Sequence, residues 1–147
     1  MTSKSFYIFL RLPARSKLMF FEAAWFTAFT RFVTLFFPLK TYYRWLGKPY
    51  TGIDCNKPWD LDVNDEKTIN EVFKNIRRCE KYLPWKHTCL VKSLAAKKML
   101  KKRGIKCFLL LGVFNDDIKM EAHAWIQCGK FKFFQQELKF KKNFIFQ

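Results

Sequence analysis

A cysteine at the head of a lysine-rich helix and a histidine in an alternating run are the side chains in this sequence whose types suit nucleophilic chemistry. In "LPWKHTCLVKSLAAKKMLKKRG", residues 83–104, Thr88 is placed to cap a helix and Cys89 falls in its first turn. The unpaired N–H groups and the dipole at a helix N-terminus favour an anion there, and Lys86 adds positive charge beside it. Such surroundings favour the thiolate, the nucleophilic form of cysteine. Taken alone, the placement equally fits one more small buried residue.

The second element is His123 in "EAHAWIQ". Strand alternation sets His123, Trp125 and Gln127 on one face and Ala122, Ala124 and Ile126 on the other. The chain has two histidines. His87 is two residues before Cys89 and outside the helix, a poor geometry for reaching the thiol. His123 is remote in sequence, as the partners in spatially assembled cysteine hydrolases are. Its bland alternative is a partly buried strand histidine.

The elements that must position these residues follow from periodicity. Pro13 is placed to open a helix, and the apolar run Leu18 to Phe37 continues to Pro38, which ends it. By hydropathy this run is close to balanced as a membrane span, because Arg31 and Glu22 offset its Leu, Phe and Val residues. Thr27, Thr30, Arg31 and Thr34 align as one polar stripe, with Glu22 nearly opposite, which reads as an amphipathic core helix; contact with a membrane surface is the weaker reading. "LKTYYRWLG" is a short helical piece ending at Gly47. Ile69, Val72, Phe73, Ile76, Cys79 and Leu83 predict a helix stopped by Pro84, with Asn64 or Asp65 as its cap.

The helix that begins at Cys89 has Leu90, Val91, Leu94, Ala95, Met99 and Leu100 on one face and Lys97, Lys98, Lys101 and Lys102 largely on the other, and Gly104 ends it. Strands follow in "IKCFLLLGVF", "EAHAWIQC" and "FKFFQQ", with turns at "NDD" and "GK", and "ELKFKKNFIFQ" reads as an edge strand. The expected fold is α+β, with helices first and an antiparallel sheet last. Residues 1–47 form an N-terminal helical lobe, 48–64 an irregular linker, and 65–147 the core.

Composition bounds the function classes. At 147 residues, half of them hydrophobic, the chain suits one domain with a substantial core. The net charge of +16 favours anionic partners, although a solvated lysine surface is the plainer reading. Cys55, Cys79, Cys89, Cys107 and Cys128 are odd in number and contain no C-x-x-C pair, which argues against a disulfide framework and a structural zinc site and for a reducing cytoplasm. The basic N-terminus lacks a small-residue cleavage site, so a signal peptide is not expected. No metal and no cofactor is expected. Interleaved lysines and aromatics such as "KFKFF" would suit nonspecific nucleic-acid binding, but no recognised nucleic-acid-binding signature accompanies them, and no specific nucleic-acid partner is expected.

"LPWKHTCLVKSLAAKKMLKKRGIK", "LLLGV" and "AHAWI", preceded by "LRLP", the Glu22-containing helix, "LFFPL" and "YRWLG", resemble in order the stand-alone leader peptidases of lasso-peptide biosynthesis. The resemblance implies a transglutaminase-like, papain-related fold, in which a nucleophile-bearing helix packs on an antiparallel sheet. It implies a cysteine protease that removes the leader from a ribosomally made precursor peptide, with Cys89 as nucleophile and His123 as base. It also implies two partners besides the precursor: a small leader-recognition protein, for which the aromatic and basic N-terminal lobe is a docking place, and an ATP-dependent lasso cyclase.

The sequence departs from that family at the acidic third member. Gln135 stands at the position where an aspartate is typical. A two-residue turn at Gly129 and Lys130 would set His123 opposite Gln136, and a bulge would substitute Gln135 or Glu137. Gln135 is the choice by spacing. A glutamine amide accepts the imidazole N–H but does not stabilise an imidazolium as a carboxylate does. A catalytically impaired scaffold that binds the precursor or partner proteins without cleaving is therefore the second reading.

Overall fold

The computed structural model describes residues 13–38, 40–41, 46–50, 59–116, 119–134 and 142–147. The three long helices are α1 (Ala14–Phe36), α2 (Val63–Tyr82) and α3 (Cys89–Lys102), followed by strands β1 (Phe108–Asp116), β2 (Lys119–Cys128), β3 (Phe131–Phe133) and β4 (Lys142–Phe146). The strands form one antiparallel sheet in the order β3-β2-β1-β4. The α+β expectation holds, with helices preceding the sheet.

Proline and glycine punctuate the chain as their backbone chemistry requires. Pro13 is the N-cap of α1. Gly104, at φ +72, lets the chain leave α3 in a left-handed turn. Asn64 and Asp65 are not caps: α2 starts earlier, with Asp62 as N-cap, and Asp65 and Glu66 lie in its first turn, where carboxylates favour the helix dipole.

α1 packs on α2 and α3, and α3 packs in turn on β1 and β2. One core cluster runs through all these layers, from Met19 and Ala23 of α1 through Ile76, Leu94 and Met99 to Leu109 and Ile126 of the sheet. Strand alternation gives the sheet a second apolar face, where Phe108, Leu110 and Trp125 are covered by Tyr50, Trp59 and Ile145. Phe73 of α2 stacks on Phe133 of β3, with ring centroids 3.5 Å apart.

The orientation of α1 inverts the amphipathic reading. Thr27 and Thr30 are buried, whereas Phe21, Trp25, Phe32 and Phe36 are exposed. Thr27 enters the core with its hydroxyl satisfied within the helix, its Oγ1 donating to the Ala24 carbonyl at 3.1 Å. Glu22 links α1 to the end of α3, at 2.5 Å from Arg103 and 3.2 Å from Lys102. Burial opposes its ionisation, but the hydrogen bonds and attraction of these two cations outweigh it and hold the carboxyl below its usual range.

Lys97 also departs from expectation. It belongs to the lysine face by spacing, yet it is buried, and its Nζ donates to the carbonyls of Leu46 and, at 3.1 Å, Phe146. The contact fastens residues 46–50 to the C-terminal strand, where Tyr50 N–H donates to Ile145 at 2.8 Å and Pro49 bridges Phe146. Gly47, at φ +112, is required there, because a Cβ would overlap the Gln147 carbonyl and the Lys97 ammonium. Burial lowers the Lys97 pKa to about 8, with Cys107 opposing the shift and Lys98 and Lys101 reinforcing it.

Between that value and the ordinary 10.5, the unfolded chain binds more protons at this site than the folded one. The stability of the native chain should therefore gain on that of Lys97→Met as pH rises from 8 towards 10.5. Urea unfolding of both proteins across this range checks it; a constant difference would remove Lys97 as the titrating group.

Candidate active site

Cys89 is the first residue of α3 and is half-buried. Thr88 caps the helix as its type predicts, its Oγ1 accepting from the Val91 N–H at 3.3 Å. The helix begins here because Pro84 ends the preceding stretch, and the buried side chains from Val91 to Leu100 hold it between the other helices and the sheet. The thiol therefore sits where a helix with a buried body presents its N–H groups.

The other described cysteines are fully packed. Cys79 is buried between α2 and α1, its thiol 3.8 Å from the Phe20 carbonyl, and burial pushes its pKa up to about 12. Cys107 and Cys128 are buried where β1 and β2 begin and end; their mutual hydrogen bond lowers the first and raises the second. Cys89 is thus the most accessible thiol among the described cysteines.

His123 lies mid-strand in β2, opposite Gly112 of β1. It shares the face of Trp125, their rings 6.3 Å apart and inclined by 21°. That face is opposite to the one α3 covers through Ile126 and Cys128. The ring's Nε2 meets the carbonyl oxygen of Phe134 at 2.5 Å, just past the end of β3. A carbonyl only accepts, so Nε2 carries the hydrogen and, in the neutral ring, Nδ1 keeps the lone pair. Phe134 reaches this position in a left-handed conformation, φ +63, which is uncommon for a residue with a side chain.

Two contacts join the first turns of α3 to the surroundings of His123. Ser93, one turn on from Cys89, donates to the carbonyl of Ala124 at 3.1 Å, the residue after His123. Lys92 places its Nζ 5.2 Å from the centre of the Phe134 ring, whose carbonyl holds the histidine. Lys92 is itself fixed by Glu80 of α2 at 2.7 Å. Helix, strand and the turn after β3 therefore meet around the N-terminal end of α3.

His87 and Trp85 border Cys89 on its N-terminal side, their rings 5.7 Å apart. Trp85 Nε1 and His87 Nε2 are buried and find no partner among the described residues. Burial lowers the His87 pKa, partly offset by a hydrogen bond to the Trp85 backbone. No group of potential metal ligands is found among the described residues.

Gln135, Gln136 and Glu137, the residues considered for orienting His123, lie outside the described residues. The β2–β3 register Cys128 with Phe131, Gln127 with Lys132 and Ile126 with Phe133 is the one expected from the two-residue turn at Gly129 and Lys130. Sequence reasoning missed the Phe134 carbonyl, which no side-chain pattern encodes. It also missed Ser93, although the spacing of four residues from Cys89 sets both on one helix face.

A sequence model described as transglutaminase-like superfamily matches residues 33–135, more than half of the chain. No curated protein and no solved structure matches. The matched span includes α3 and β2 and hence both Cys89 and His123. Ser93→Ala should cost about 1–2 kcal/mol by leaving the buried Ala124 carbonyl without its donor. Urea titration measures this; a change below ~0.3 kcal/mol would mean that the bond contributes nothing to holding α3 on β2.

Proposed function

The chain belongs to the transglutaminase-like superfamily, which includes cysteine proteases, and on that premise we propose that it is a cysteine peptidase removing the leader from a ribosomally made lasso-peptide precursor. The observation that carries the reading is Cys89 as the capped first residue of a buried helix whose next turn is bonded to the strand of His123. The ordered resemblance of "LPWKHTCLVKSLAAKKMLKKRGIK" and "AHAWI" to the lasso leader peptidases supports the choice of substrate.

The mechanism requires the His123 ring, which rests on the sheet face away from α3, to come round to Cys89 when precursor binds; its Nδ1 then takes the thiol proton, and the sulfur attacks the scissile carbonyl to form a tetrahedral adduct. N–H groups at the start of α3 stabilise its oxyanion. The carbon–nitrogen bond breaks as the core peptide leaves as an amine carrying the proton from His123, and water then splits the leader thioester to give the leader carboxylate and the free Cys89 thiol. In the resting chain the Phe134 carbonyl holds the ring through Nε2. The work is placed in the cytoplasm, with a small recognition protein delivering the leader and an ATP-dependent cyclase acting on the released core.

Cys89→Ala should abolish cleavage of the cognate precursor without altering the far-ultraviolet circular dichroism. Iodoacetamide at neutral pH should label Cys89 ahead of Cys79, Cys107 and Cys128, and His123→Ala should slow that labelling. Cleavage that survives in Cys89→Ala would falsify the nucleophile assignment. A second reading, a scaffold that binds the precursor without cutting it, is favoured by Gln135 at the position where the resembling family carries an acid. Under that reading the native chain binds precursor and leaves it intact, and His123→Ala does not change the rate at which Cys89 is labelled.

A further inference from the structure

α1 has two apolar faces; among the described residues one packs into the core and the other is largely exposed. Met19, Ala23, Thr27, Thr30 and Val33 are buried against the rest of the chain. On the opposite side Leu18, Phe21, Trp25, Phe29, Phe32 and Phe36 recur at i, i+3, i+7, i+11, i+14 and i+18, and each is between 41% and 71% exposed. They form a stripe about 27 Å long at 1.5 Å per residue. At 150–250 Å² per full aromatic side chain, the exposed fractions amount to roughly 600 Å², at the upper end for the largest apolar patch on a soluble monomer.

The surroundings of the stripe are basic. Lys17 borders it on one side; Arg15 and Lys102, with side chains 73% and 68% exposed, lie on the other, Arg15 3.7 Å from Glu71 and Lys102 3.2 Å from Glu22. The one carboxylate of α1, Glu22, is engaged by Arg103 and Lys102, so it presents no free negative charge to a partner. Two copies each carrying +16 repel one another, which disfavours self-association through this face.

A straight aromatic and aliphatic helix face with cationic edges is the composition that lies in the plane of an anionic bilayer interface, and tryptophan is enriched at that depth. The helix is long and apolar enough to cross a membrane, but its other face is committed to the core, so lying in the surface is the mode open to it without unfolding. We infer that the protein docks on anionic membranes through the outer face of α1, with Trp25 and the surrounding phenylalanines entering the headgroup region and the flanking cations meeting lipid phosphates. Leu18 to Phe32 precede the span matched by the superfamily, so the inference rests on these residues and not on the shared core. It is independent of the peptidase reading.

The test is co-sedimentation of the full chain with vesicles of phosphatidylcholine containing a third phosphatidylglycerol, and with pure phosphatidylcholine vesicles. The expected result is binding to the anionic vesicles, with a blue shift of tryptophan emission that Trp25→Phe diminishes, and at least tenfold weaker binding to the neutral ones. Trp25→Glu with Phe32→Glu should weaken binding at least tenfold while leaving the melting temperature within 3 °C or so, since both side chains face outward. Trp25→Ser with Phe32→Ser, which adds no charge, should weaken it in the same direction. A chain that stays in the supernatant, or serine and glutamate variants that bind as the native chain does, would overturn the inference. A dimer in sedimentation equilibrium that these substitutions dissolve, or a protein partner that they displace while vesicle binding is absent, would assign the face elsewhere and overturn it equally.

Discussion

The burial of α3 on nearly every side is the constraint from which the rest of the structure follows. Val91, Ser93, Leu94, Ala95, Ala96, Lys97, Met99 and Leu100 are all buried, so this helix has almost no face of its own to give to water. A helix so enclosed needs neighbours on both sides, and α1 and α2 supply one while the sheet supplies the other. Small residues make the close approach possible: Ala95 and Ala96 admit the flanking layers, and Ser93 is short enough for its hydroxyl to meet the backbone of β2. With its body sealed, the helix exchanges with solvent only at its ends. One end carries Cys89 under the Thr88 cap; the other carries the cations that hold Glu22.

Burial also accounts for the polar groups within the core. Lys97 enters it because two backbone carbonyls, from Leu46 and Phe146, are available where residues 46–50 meet β4. The lysine closes the gap between segments distant in sequence, at the cost of a charge held in poor solvent, and its lowered pKa records that cost. The same economy appears at Asn75, which donates to the Glu71 carbonyl within its own helix and accepts from Arg78. In both cases a polar side chain is tolerated because its partner lies within reach of one helical turn or one layer.

The parts of this arrangement that were legible in the sequence are those encoded locally. Thr88 before an apolar run marks a helix start, Gly104 marks its end, and the two-residue turn at Gly129 fixes the register of β2 on β3. The parts that were not legible depend on which of two equivalent surfaces meets the core. α1 is apolar around most of its circumference, so its threonine stripe gave the wrong face: hydroxyls satisfied by the helix's own carbonyls are cheaper to bury than the large rings are to fit between layers. Lys97 sits in a run of lysines whose spacing indicates solvent, and only the converging carbonyls distinguish it. The covering of the far sheet face by Tyr50 and Trp59 was likewise invisible, since both come from a stretch whose composition reads as a linker.

The bond between His123 and Phe134 rests on a peptide group and not on a side chain. A backbone carbonyl is supplied by every amino acid, so substitutions at Phe134 alter the conformation that presents the oxygen but never delete the oxygen itself. An orienting carboxylate can be lost in one codon change. An orienting peptide group drifts only as the path of the turn drifts.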